Sequence, residues 1–534
     1  MHIKKPPIDI TLYDSYQKKL VTIQPDETVE QNTIKLYRCG PTVYFYQHIG
    51  NVAGAWLTDT IVNIARLGNW HVEHVENITD VGHLVGDGDD GQNVADSEDK
   101  MEKGAKRDGK TVQQIVDYYT DDYRAQCEAL NIHLPRGKHN PKATEYIQEQ
   151  MILALEMLKK GRAYLLEDGI YFDSEANQDL DTPFNLIFSG DNQFTGRDIK
   201  NITKNPADFA LWKYVDEKSL QKWRFIDFET PLGLILDNDL RVIPHLWGCP
   251  GWHSECVAMI CGILGKQAVS KSFSFSQFTS PKPVIDIHIG GEDHIDIHHR
   301  NEILQSEALG FHLSKYWVHN RFITVDSKKM SKSVGNVYSI TGDPSKTGME
   351  SIVNKGFDPI AYRLMLFEHH SSQQIDFTWE KLNQSQNRLH NLRKECAKVS
   401  AYWRYMKDVG IDWEWNMEEW KTIKKSWRKI LAENLNTPEF LHQFTKYLLE
   451  TTNRIAQENM LSKNAYNVLF LYDHKILKLN LFPSIPDHVL KLGSERQSAK
   501  QDKNYKLADE LRQTIIAEHW QIDDYPWGWG IWKK

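Results

Sequence analysis

Residues 34–67 read IKLYRCGPTVYFYQHIGNVAGAWLTDTIVNIARL, and this segment decides the fold. Its first five residues alternate like a short strand, Gly40-Pro41 breaks the pattern, and residues 52–67 have a helical period. A second strand is predicted at 71–78, directly after that helix. A strand, a helix and another strand in this order are typical of a parallel sheet, so the fold class is α/β.

Further along, the chain shows a long interruption followed by a helical half. Residues 82–109 are polar and rich in Gly, Asp and Lys, which predicts a surface loop. Helices are then predicted from a capping box and from an apolar stripe, namely Thr111 with Gln114, and Ile147, Met151, Leu155 and Leu158 ending at Gly161. Strands return at 284–289 and 322–325, and from about residue 356 the period is helical. The interruption is therefore an insertion within the sheet domain.

Length and composition limit the classes of protein to which this chain can belong. A chain of 534 residues exceeds the size of one hydrophobic core, so several domains are expected. We expect no membrane segment and a cytoplasmic location, because no apolar run approaches the ~18 residues of a spanning helix and the basic start leads into no apolar stretch. Six cysteines are too sparse for a disulfide framework, which favours free thiols or metal ligands. The net charge of -8 argues against indiscriminate coating of nucleic acid.

Two motif matches are rejected on physical grounds. Residues 104–111 fit the phosphate-loop formula, but a charged run precedes them where the mechanism needs a buried strand. Asp87, Asp89 and Glu98 fall on calcium-loop positions, but Gly91 stands where that loop needs an oxygen ligand. Neither segment is therefore expected to bind its ligand.

Four short segments carry the chemistry, and they need to be considered together. They are 39–44 (CGPTVY) with 48–51 (HIGN), 251–256 (GWHSEC), 290–293 (GGED) continuing through 298–302 (HHRNE), and 329–333 (KMSKS). In this order and spacing they resemble the class I cysteinyl-tRNA synthetases, and the similarity extends through most of the chain. The resemblance implies that the protein activates L-cysteine with ATP and Mg²⁺ and transfers it to the tRNA for cysteine.

The first and last of these segments are expected to bind ATP and to act on its phosphates. His48 and Gly50 lie between a strand and a helix whose first N–H groups favour phosphate. The family usually has a second histidine where this chain has Asn51, which can donate a hydrogen bond but carries no charge. Cations on a mobile loop would stabilise the charge that builds on pyrophosphate, a role for Lys329 and Lys332.

Adenosine is expected to lie against the turn that follows the strand at 284–289. Paired glycines, Gly290 and Gly291, would let it approach the backbone, and Asp293 would accept hydrogen bonds from the ribose. The resemblance places the substrate against four further residues, which are Gly40, Thr79, Trp252 and His253.

One zinc ion per chain is the cofactor that the resemblance implies, on Cys39, Cys256, His298 and Glu302. The residue types agree, since Cys, His and Glu suit Zn²⁺ and the last two, spaced i and i+4, share one helix face. Two alternatives stay open: a zinc ribbon on Cys249, Cys256 and Cys261, and buried thiols without metal. Two thiolates and a carboxylate overcompensate Zn²⁺, so nearby His253, His294 and His299 are expected to offset the charge.

The C-terminal half is interpreted as the RNA-binding part of a monomeric enzyme. Residues 381–430 interleave cations with tryptophans, and 520–534 place Tyr525, Trp527, Trp529 and Trp532 beside Asp523 and Asp524. Either RNA contact or packing explains both patterns. The expected domains are an N-terminal extension (1–33), a Rossmann-like catalytic domain (34–320) with an insertion at about 82–245, a connecting domain with the KMSKS loop (321–380), a tRNA-binding helical bundle (381–485) and a small anticodon-binding domain (486–534).

Departures from the family pattern leave two other functions open. Cys249 stands where arginine is usual, Arg300 replaces an acidic residue, and 220–246 is longer than usual. A cysteine ligase with an amino-sugar acceptor would not need Glu302 or the long helical region. A non-catalytic RNA-binding relative would not need both KMSKS lysines.

Overall fold

The computed structural model describes residues 7–24, 32–81, 100–180, 203–205, 207–228, 243–265, 273–331, 334–410, 417–458 and 461–533. The strands in these residues are β1 Thr11–Asp14, β2 Lys19–Thr22, β3 Thr33–Arg38, β4 His71–Glu76, β5 Ala163–Leu166, β6 Gly169–Phe172, β7 Ala210–Tyr214, β8 Gly248–Pro250, β9 Ile285–Gly291, β10 Ser314–Asn320, β11 Ile323–Val325, β12 Lys328–Lys329, β13 Tyr338–Ser339, β14 Glu350–Ser351, β15 Ile375–Phe377, β16 Trp520–Tyr525 and β17 Gly528–Lys533. The helices are α1 Ile49–Leu67, α2 Lys100–Asp108, α3 Val112–Ala129, α4 Ile147–Lys159, α5 Trp252–Ile263, α6 His298–Leu309, α7 Pro344–Thr347, α8 Pro359–Phe367, α9 Trp379–Asp408, α10 Met417–Ala432, α11 Thr437–Glu458, α12 Lys463–Tyr472, α13 Asp487–Gln501 and α14 Tyr505–Ala517.

A four-stranded parallel sheet in the order β10-β9-β3-β4 confirms the predicted fold class. The chain first winds from β3 through α1 to β4, and later returns to the other side of β3 with β9 and β10. The strand order therefore reverses between β3 and β9. In parallel α/β sheets, ligands bind in the crevice outside the carboxyl ends of the strands at such a switch point. Residues that follow β3 and β9 must lie beside this crevice.

The insertion contains a second sheet that the sequence did not predict. Strands β5, β6, β7 and β8 form an antiparallel sheet whose last strand runs to Pro250, past the expected end of the insertion near residue 245. The surface loop predicted at 82–109 was wrong from Lys100 onward, because α2 occupies that part. Since residues 104–108 are helical, the rejection of the phosphate loop is confirmed. The rejected calcium loop and residues 229–242 lie outside the described residues.

The N-terminal hairpin β1–β2 joins the sheet to the helical half. Trp317 N of the edge strand β10 donates to Asp14 Oδ2 (3.1 Å), and Ser15 N donates to Trp317 O (3.0 Å). On the other side, Asn434 N donates to Thr11 O (3.0 Å). An uncovered edge strand is prone to unwanted pairing, so this hairpin protects the sheet while it binds the bundle.

A buried ionic cluster fixes the helical bundle on the catalytic sheet. Lys478 Nζ lies 2.9 Å from Asp59 Oδ1 of α1, and Arg363 Nη2 of α8 lies 3.3 Å from Asp59 Oδ2. Arg363 also donates to the backbone oxygens of Leu477 and Leu130 (2.6 and 2.9 Å). Burial disfavours the charge on Asp59, but Arg363 and Lys478 outweigh it and lower its pKa. A fully paired cluster of this kind holds three segments of the chain in one arrangement.

Several cations and aromatic residues of the C-terminal half have structural contacts. Buried Arg393 pairs with Asp358 (2.7 Å), and Arg404 lies 4.2 Å over the Trp529 ring. Trp527 packs edge-on against Tyr402 of α9. Packing therefore explains these residues, while contact with RNA stays a prediction. Trp413 and Trp415 lie outside the described residues. Within the described chain, no helix combines the length and the hydropathy that a bilayer span requires.

Candidate active site

His48 and Asn51 close the N-terminus of α1 beside the switch point. His48 Nδ1 accepts from the backbone N–H groups of Gly50 and Asn51 (3.1 and 3.3 Å), and His48 N donates to Asn51 Oδ1 (3.2 Å). Because Nδ1 is the acceptor, the proton of the neutral ring lies on Nε2, which is a donor. The side-chain amide of Asn51 likewise keeps its NH₂ group as the donor. The helix start thus combines a cap with two donor groups and the positive end of the helix dipole.

Gly50 places the KMSKS loop against this helix start. A Cβ atom on Gly50 would lie 2.8 Å from Met330 Cε, so the glycine lets Met330 pack against the helix. Lys329 is exposed at the end of the β11–β12 hairpin, with its Nζ atom 5.2 Å from the Phe322 ring centre. Lys332 lies outside the described residues. The structure therefore brings the start of the KMSKS loop to the predicted phosphate site.

The Gly290-Gly291 pair follows the predicted strand, but its surroundings differ from the expectation. A Cβ atom on Gly290 would lie 2.5 Å from His299 Cε1, and one on Gly291 would lie 2.2 Å from Asp293 Oδ1. Gly290 is thus required by the packing of buried histidine rings, whereas the exposed Asp293 side chain could move away from a side chain at position 291. Asp293 is exposed at the carboxyl end of β9, where a ribose could reach it. Contact with adenosine stays a prediction.

Four ligand atoms converge between β3, α5 and α6. Cys39 Sγ lies 3.6 Å from Cys256 Sγ, Cys256 Sγ lies 3.4 Å from His298 Nε2, and His298 Nε2 lies 3.0 Å from Glu302 Oε1. All four atoms lie within 4.8 Å of one another, and all four residues are buried. Atoms that bind one Zn²⁺ ion at about 2.0 to 2.3 Å in a tetrahedron are about 3 to 4 Å apart. The sequence prediction named these same four residues.

The surroundings of Glu302 fit a cation. His298 Nε2 and His288 Nε2 lie 3.0 and 2.7 Å from its two oxygens, yet neither oxygen receives a well-aligned hydrogen bond from the described side chains. A buried carboxylate without such a bond is costly unless a cation binds it. His298 Nδ1 lies 3.2 Å from His253 Nδ1, which leaves Nε2 to face the cluster. Metal-ligating histidines typically have a second-layer partner of this kind.

Charges within the cluster are strongly coupled. Burial disfavours ionisation of Glu302, but His288 and His298 outweigh it and lower the pKa of that carboxyl. Burial disfavours a charged His298, but Glu302 and Cys256 raise its pKa to about 10. Burial likewise opposes a Cys256 thiolate, but the contact with Cys39 and the nearby His298 lower its pKa to about 6. A thiolate on Cys256 is the form that binds a metal.

A group of histidines extends the site, and sequence reasoning named only part of it. His299 Nε2 lies 3.4 Å from Cys39 Sγ, and His299 Nδ1 lies 2.7 Å from His319 Nε2. Cys39, His288 and His299 form a second set of converging ligand atoms. The signal for His288 was a histidine between isoleucines at a buried position of β9. His319 is the second-last residue of the next strand, and only the parallel pairing of β9 and β10 brings it near.

The expected charge compensation by histidines takes a different form. Burial holds the pKa values of His253, His294 and His299 below their ordinary value. Neutral imidazoles cannot balance a negative charge as cations do. Of the three, His299 has a ring nitrogen 3.4 Å from Cys39 Sγ, where a neutral imidazole can donate an N–H to sulfur, which is a weaker form of compensation.

The zinc-ribbon alternative finds no support in the described structure. Cys249 and Cys261 are buried, and the converging groups of ligand atoms found among the described residues include neither. Burial raises the pKa of the Cys261 thiol far above its ordinary value. Cys261 therefore behaves as an apolar core residue of α5.

Gly40, Thr79 and Trp252 surround the cluster. A Cβ atom on Gly40 would lie 1.6 Å from Asn77 O, so this position has room for glycine alone. Thr79 is buried, and its Oγ1 accepts from Asn77 Nδ2 (3.1 Å). The Trp252 ring stacks on His298 at 4.5 Å between ring centres. Trp252 thus covers a ligand residue, while contact of these side chains with substrate stays a prediction.

The fold and site together define a class of protein, namely an α/β enzyme with converging thiol, imidazole and carboxylate ligand atoms at the switch point of its parallel sheet. The model of the family described as tRNA synthetases class I (C) catalytic domain matches residues 25–85 and 91–387. The cysteine–tRNA ligase of Treponema denticola is 32% identical, covering 95% of this chain and 96% of that protein. Cysteine–tRNA ligase 1 of Burkholderia lata is 30% identical, over 97% and 96%. The chain belongs to the cysteine–tRNA ligase family of class I synthetases.

Solved structures of other synthetases are less similar to this chain in sequence than these relatives are. The methionyl-tRNA synthetase of Mycobacterium tuberculosis bound by methionyl-adenylate has a TM-score of 0.49 and 14% identity, covering 91% of this chain and 92% of that one. An arginyl-tRNA synthetase described as putative, from Campylobacter jejuni, has a TM-score of 0.45 and 14% identity, over 84% and 91%. The family assignment rests on the sequence matches.

Proposed function

We propose that this protein joins L-cysteine to the tRNA for cysteine in an ATP-dependent reaction with a cysteinyl-adenylate intermediate. The observation that carries the proposal is the position of the Cys39, Cys256, His298 and Glu302 cluster. It lies near the capped start of α1, because Arg38, which precedes Cys39 in the chain, donates from Nη2 to Asn51 O in the first turn of that helix (3.2 Å). An amino acid bound at the cluster and ATP bound at the helix start would share one crevice.

The reaction needs positioning and charge stabilisation, and no protein nucleophile. The cysteine carboxylate attacks the α-phosphate and pyrophosphate leaves; a ribose hydroxyl at the tRNA 3′ end then attacks the cysteinyl carbonyl, and AMP leaves. His48 Nε2–H and the Asn51 amide would donate to the phosphates. Lys329 and Lys332 would stabilise the charge on the leaving pyrophosphate, while Gly290, Gly291 and Asp293 bind the adenosine.

Zn²⁺ is the metal we assign to the cluster, one per chain, and Mg²⁺ accompanies ATP. Bound there, Zn²⁺ would take the substrate sulfur as a thiolate ligand, which the serine hydroxyl replaces poorly because its pKa is far higher. Gly40, Thr79, Trp252 and His253 would complete the amino-acid pocket.

The remaining parts of the proposal concern the whole chain. We assign tRNA binding to the bundle (381–485), anticodon recognition to the C-terminal domain (486–534), and the KMSKS loop to a connecting domain (321–380). The enzyme would act as a cytoplasmic monomer, and one chain supplies all four cluster residues.

The direct test is charging of tRNA. Purified protein with ATP and Mg²⁺ should attach labelled cysteine to a tRNA with the cysteine anticodon, and should leave serine and a mismatched tRNA uncharged. Cysteine-dependent pyrophosphate exchange without any tRNA charging would indicate a different acceptor, such as an amino sugar. Absence of both reactions would indicate a non-catalytic relative and would contradict the proposal.

His299 provides a test of the histidine group. We expect His299→Ala to raise the KM for cysteine about 10-fold, since a lost hydrogen bond to a charged group costs about 1.5 kcal/mol. Metal content should stay at the wild-type value, because the four proposed ligands remain. Metal analysis and pyrophosphate exchange check both points. Loss of the metal would instead show that His299 is itself a ligand, and His299→Gln, which retains an N–H donor, should recover part of the lost affinity.

A further inference from the structure

An aromatic patch with cations at its rim lies beside the proposed active site. Its aromatic residues are Phe45 and Tyr46 in the loop between β3 and α1 and Tyr118 and Tyr119 on α3, and its cations are Arg107 of α2 and Lys110. We call these six residues the aromatic patch. Tyr118 is 41% exposed, whereas Tyr119 is buried beneath it.

The rings pack edge to face, with interplanar angles of 75° to 89°. The Tyr46 ring centre lies 4.9 Å from that of Tyr119 and 5.9 Å from that of Tyr118, and the Tyr46 and Tyr118 hydroxyls are 2.8 Å apart. Phe45 adjoins Tyr46 at 5.3 Å. Tyr119 belongs to a small buried core with Val43 and Ile78, which supports the outer rings. The patch is therefore rigid enough to present aromatic surface at low entropic cost.

Cations border these rings. Lys110 Nζ lies 4.0 Å from the Tyr118 ring centre, and Arg107 Cζ lies 4.8 Å from the Phe45 ring centre. Residues 100–110 contain five lysines and arginines against two acids. Asp108 is bound by Arg107 (2.6 Å), and Glu102 accepts from Leu220 N (2.6 Å), so both acids are engaged within the protein. The acids of α3 beside the tyrosines have partners as well, since Asp117 pairs with Lys142 (3.0 Å), Asp121 lies 3.7 Å from Arg124, and Asp122 accepts from Gln126 (2.7 Å). A polyanion is the partner that this charge favours.

The position of the aromatic patch indicates which molecule would bind it. Phe45 and Tyr46 lie in the loop that starts at Gly40 beside the metal cluster and ends at His48, the cap of α1. Arg107 Nη2 donates to Tyr44 O (3.2 Å), and Gln126 Nε2 of α3 donates to Gln47 O (3.0 Å), so α2 and α3 are held on this loop. Whatever binds the patch must lie at the mouth of the crevice.

We propose that the aromatic patch binds the unpaired 3′ end of the tRNA, stacking a base on the exposed ring of Tyr118, with Lys110 moving from that ring to a phosphate. This inference rests on the proposed function. Single-stranded nucleic acids are bound by aromatic faces that stack bases and by cations along the backbone, which is the combination found here. The terminal ribose must reach the cysteinyl-adenylate, so its nearest unpaired nucleotides pass this surface.

Tyr118→Ala is the principal test, and Tyr118→Phe is its matched control. We expect Tyr118→Ala to raise the KM for tRNA about 10-fold while cysteine-dependent pyrophosphate exchange, which needs no tRNA, stays at the wild-type rate. Tyr118→Phe keeps the ring, loses the hydroxyl contact with Tyr46, and should charge tRNA within about 2-fold of wild type. Unaltered tRNA charging by Tyr118→Ala would overturn the proposal. A wild-type protein that activates no cysteine would overturn the proposed function first and this inference with it.

A truncated tRNA identifies the part that is bound. In a binding assay, wild-type protein should lose about 10-fold in affinity when the unpaired 3′ nucleotides are removed, and Tyr118→Ala should bind full and truncated tRNA equally. If Tyr118→Ala instead binds each of the two tRNAs more weakly than wild type does, and by the same factor, the contact lies elsewhere on the tRNA and the assignment is overturned. Lys110→Ala should lower the dependence of log affinity on log salt by about one unit, as expected for one phosphate contact.

Discussion

We expect Cys256→Ser to abolish metal binding and to lower kcat/KM for cysteine-dependent pyrophosphate exchange by about 1,000-fold, or roughly 4 kcal/mol. Cys256 is 2% exposed and stands between Cys39 and His298, at 3.6 and 3.4 Å. Serine at this position supplies a hydroxyl that does not ionise near neutral pH. Without the second thiolate the cluster loses a soft ligand and no longer holds the metal. Loss of the metal also removes the selectivity for sulfur.

The matched control is Cys261→Ser. Cys261 lies on the same helix and is equally buried, but it lies outside both groups of converging ligand atoms. Its substitution should leave metal content and exchange activity close to wild type, at a modest cost in thermal stability from burying a hydroxyl. Metal analysis by atomic absorption and the exchange assay measure both variants. Full metal content in Cys256→Ser would contradict the assigned ligand set, and equal loss in both variants would point to a general effect on folding.

The second large effect is expected at His48. His48→Ala removes both the Nε2 donor and the Nδ1 acceptor that caps Gly50 and Asn51. We expect kcat for pyrophosphate exchange to fall about 100-fold or more, as when a donor to a developing charge is lost. The lost cap should also lower the stability of α1 by about 1 kcal/mol. Exchange kinetics and thermal unfolding give the two effects separately.

His48→Asn separates capping from catalysis. Asparagine is a strong N-cap residue, so the free energy of unfolding should return close to wild type, whereas the imidazole donor is absent. Exchange activity should therefore stay about as low as in His48→Ala. If asparagine restores activity along with stability, the role of His48 is that of a cap alone.

The sequence was sufficient for the parallel sheet and for the four residues whose ligand atoms converge, while their binding of zinc stays a prediction. Strand period, the Gly40-Pro41 break and the helical run located β3, α1 and β4 within a few residues, because these elements are buried and their patterns are strong. The capping box at Thr111 and Gln114 is present as predicted. The cluster was found because Cys, His and Glu are informative residue types and their motifs are specific.

The sequence predicted neither the antiparallel sheet β5–β8 nor helix α2. The strands of that sheet are three to five residues long, too short for alternation to be distinct from noise. Helix α2 is rich in lysine, contains a glycine and has few apolar residues, so its formation depends on packing of Met101 and Ala105 into a small core. Propensity alone did not predict it, since tertiary contacts decided its structure.

By itself, the sequence determined the fold class, the order of the sheet-forming segments, the synthetase family and the identity of the four proposed metal ligands. Tertiary structure alone decided that His288 and His319 join this site, that Met330 packs on Gly50, and that Tyr46 meets Tyr118. The physical reason is the range of the interactions. Periodicity and capping act over a few residues, whereas these contacts join residues that are distant in the chain and are set by strand pairing and helix docking.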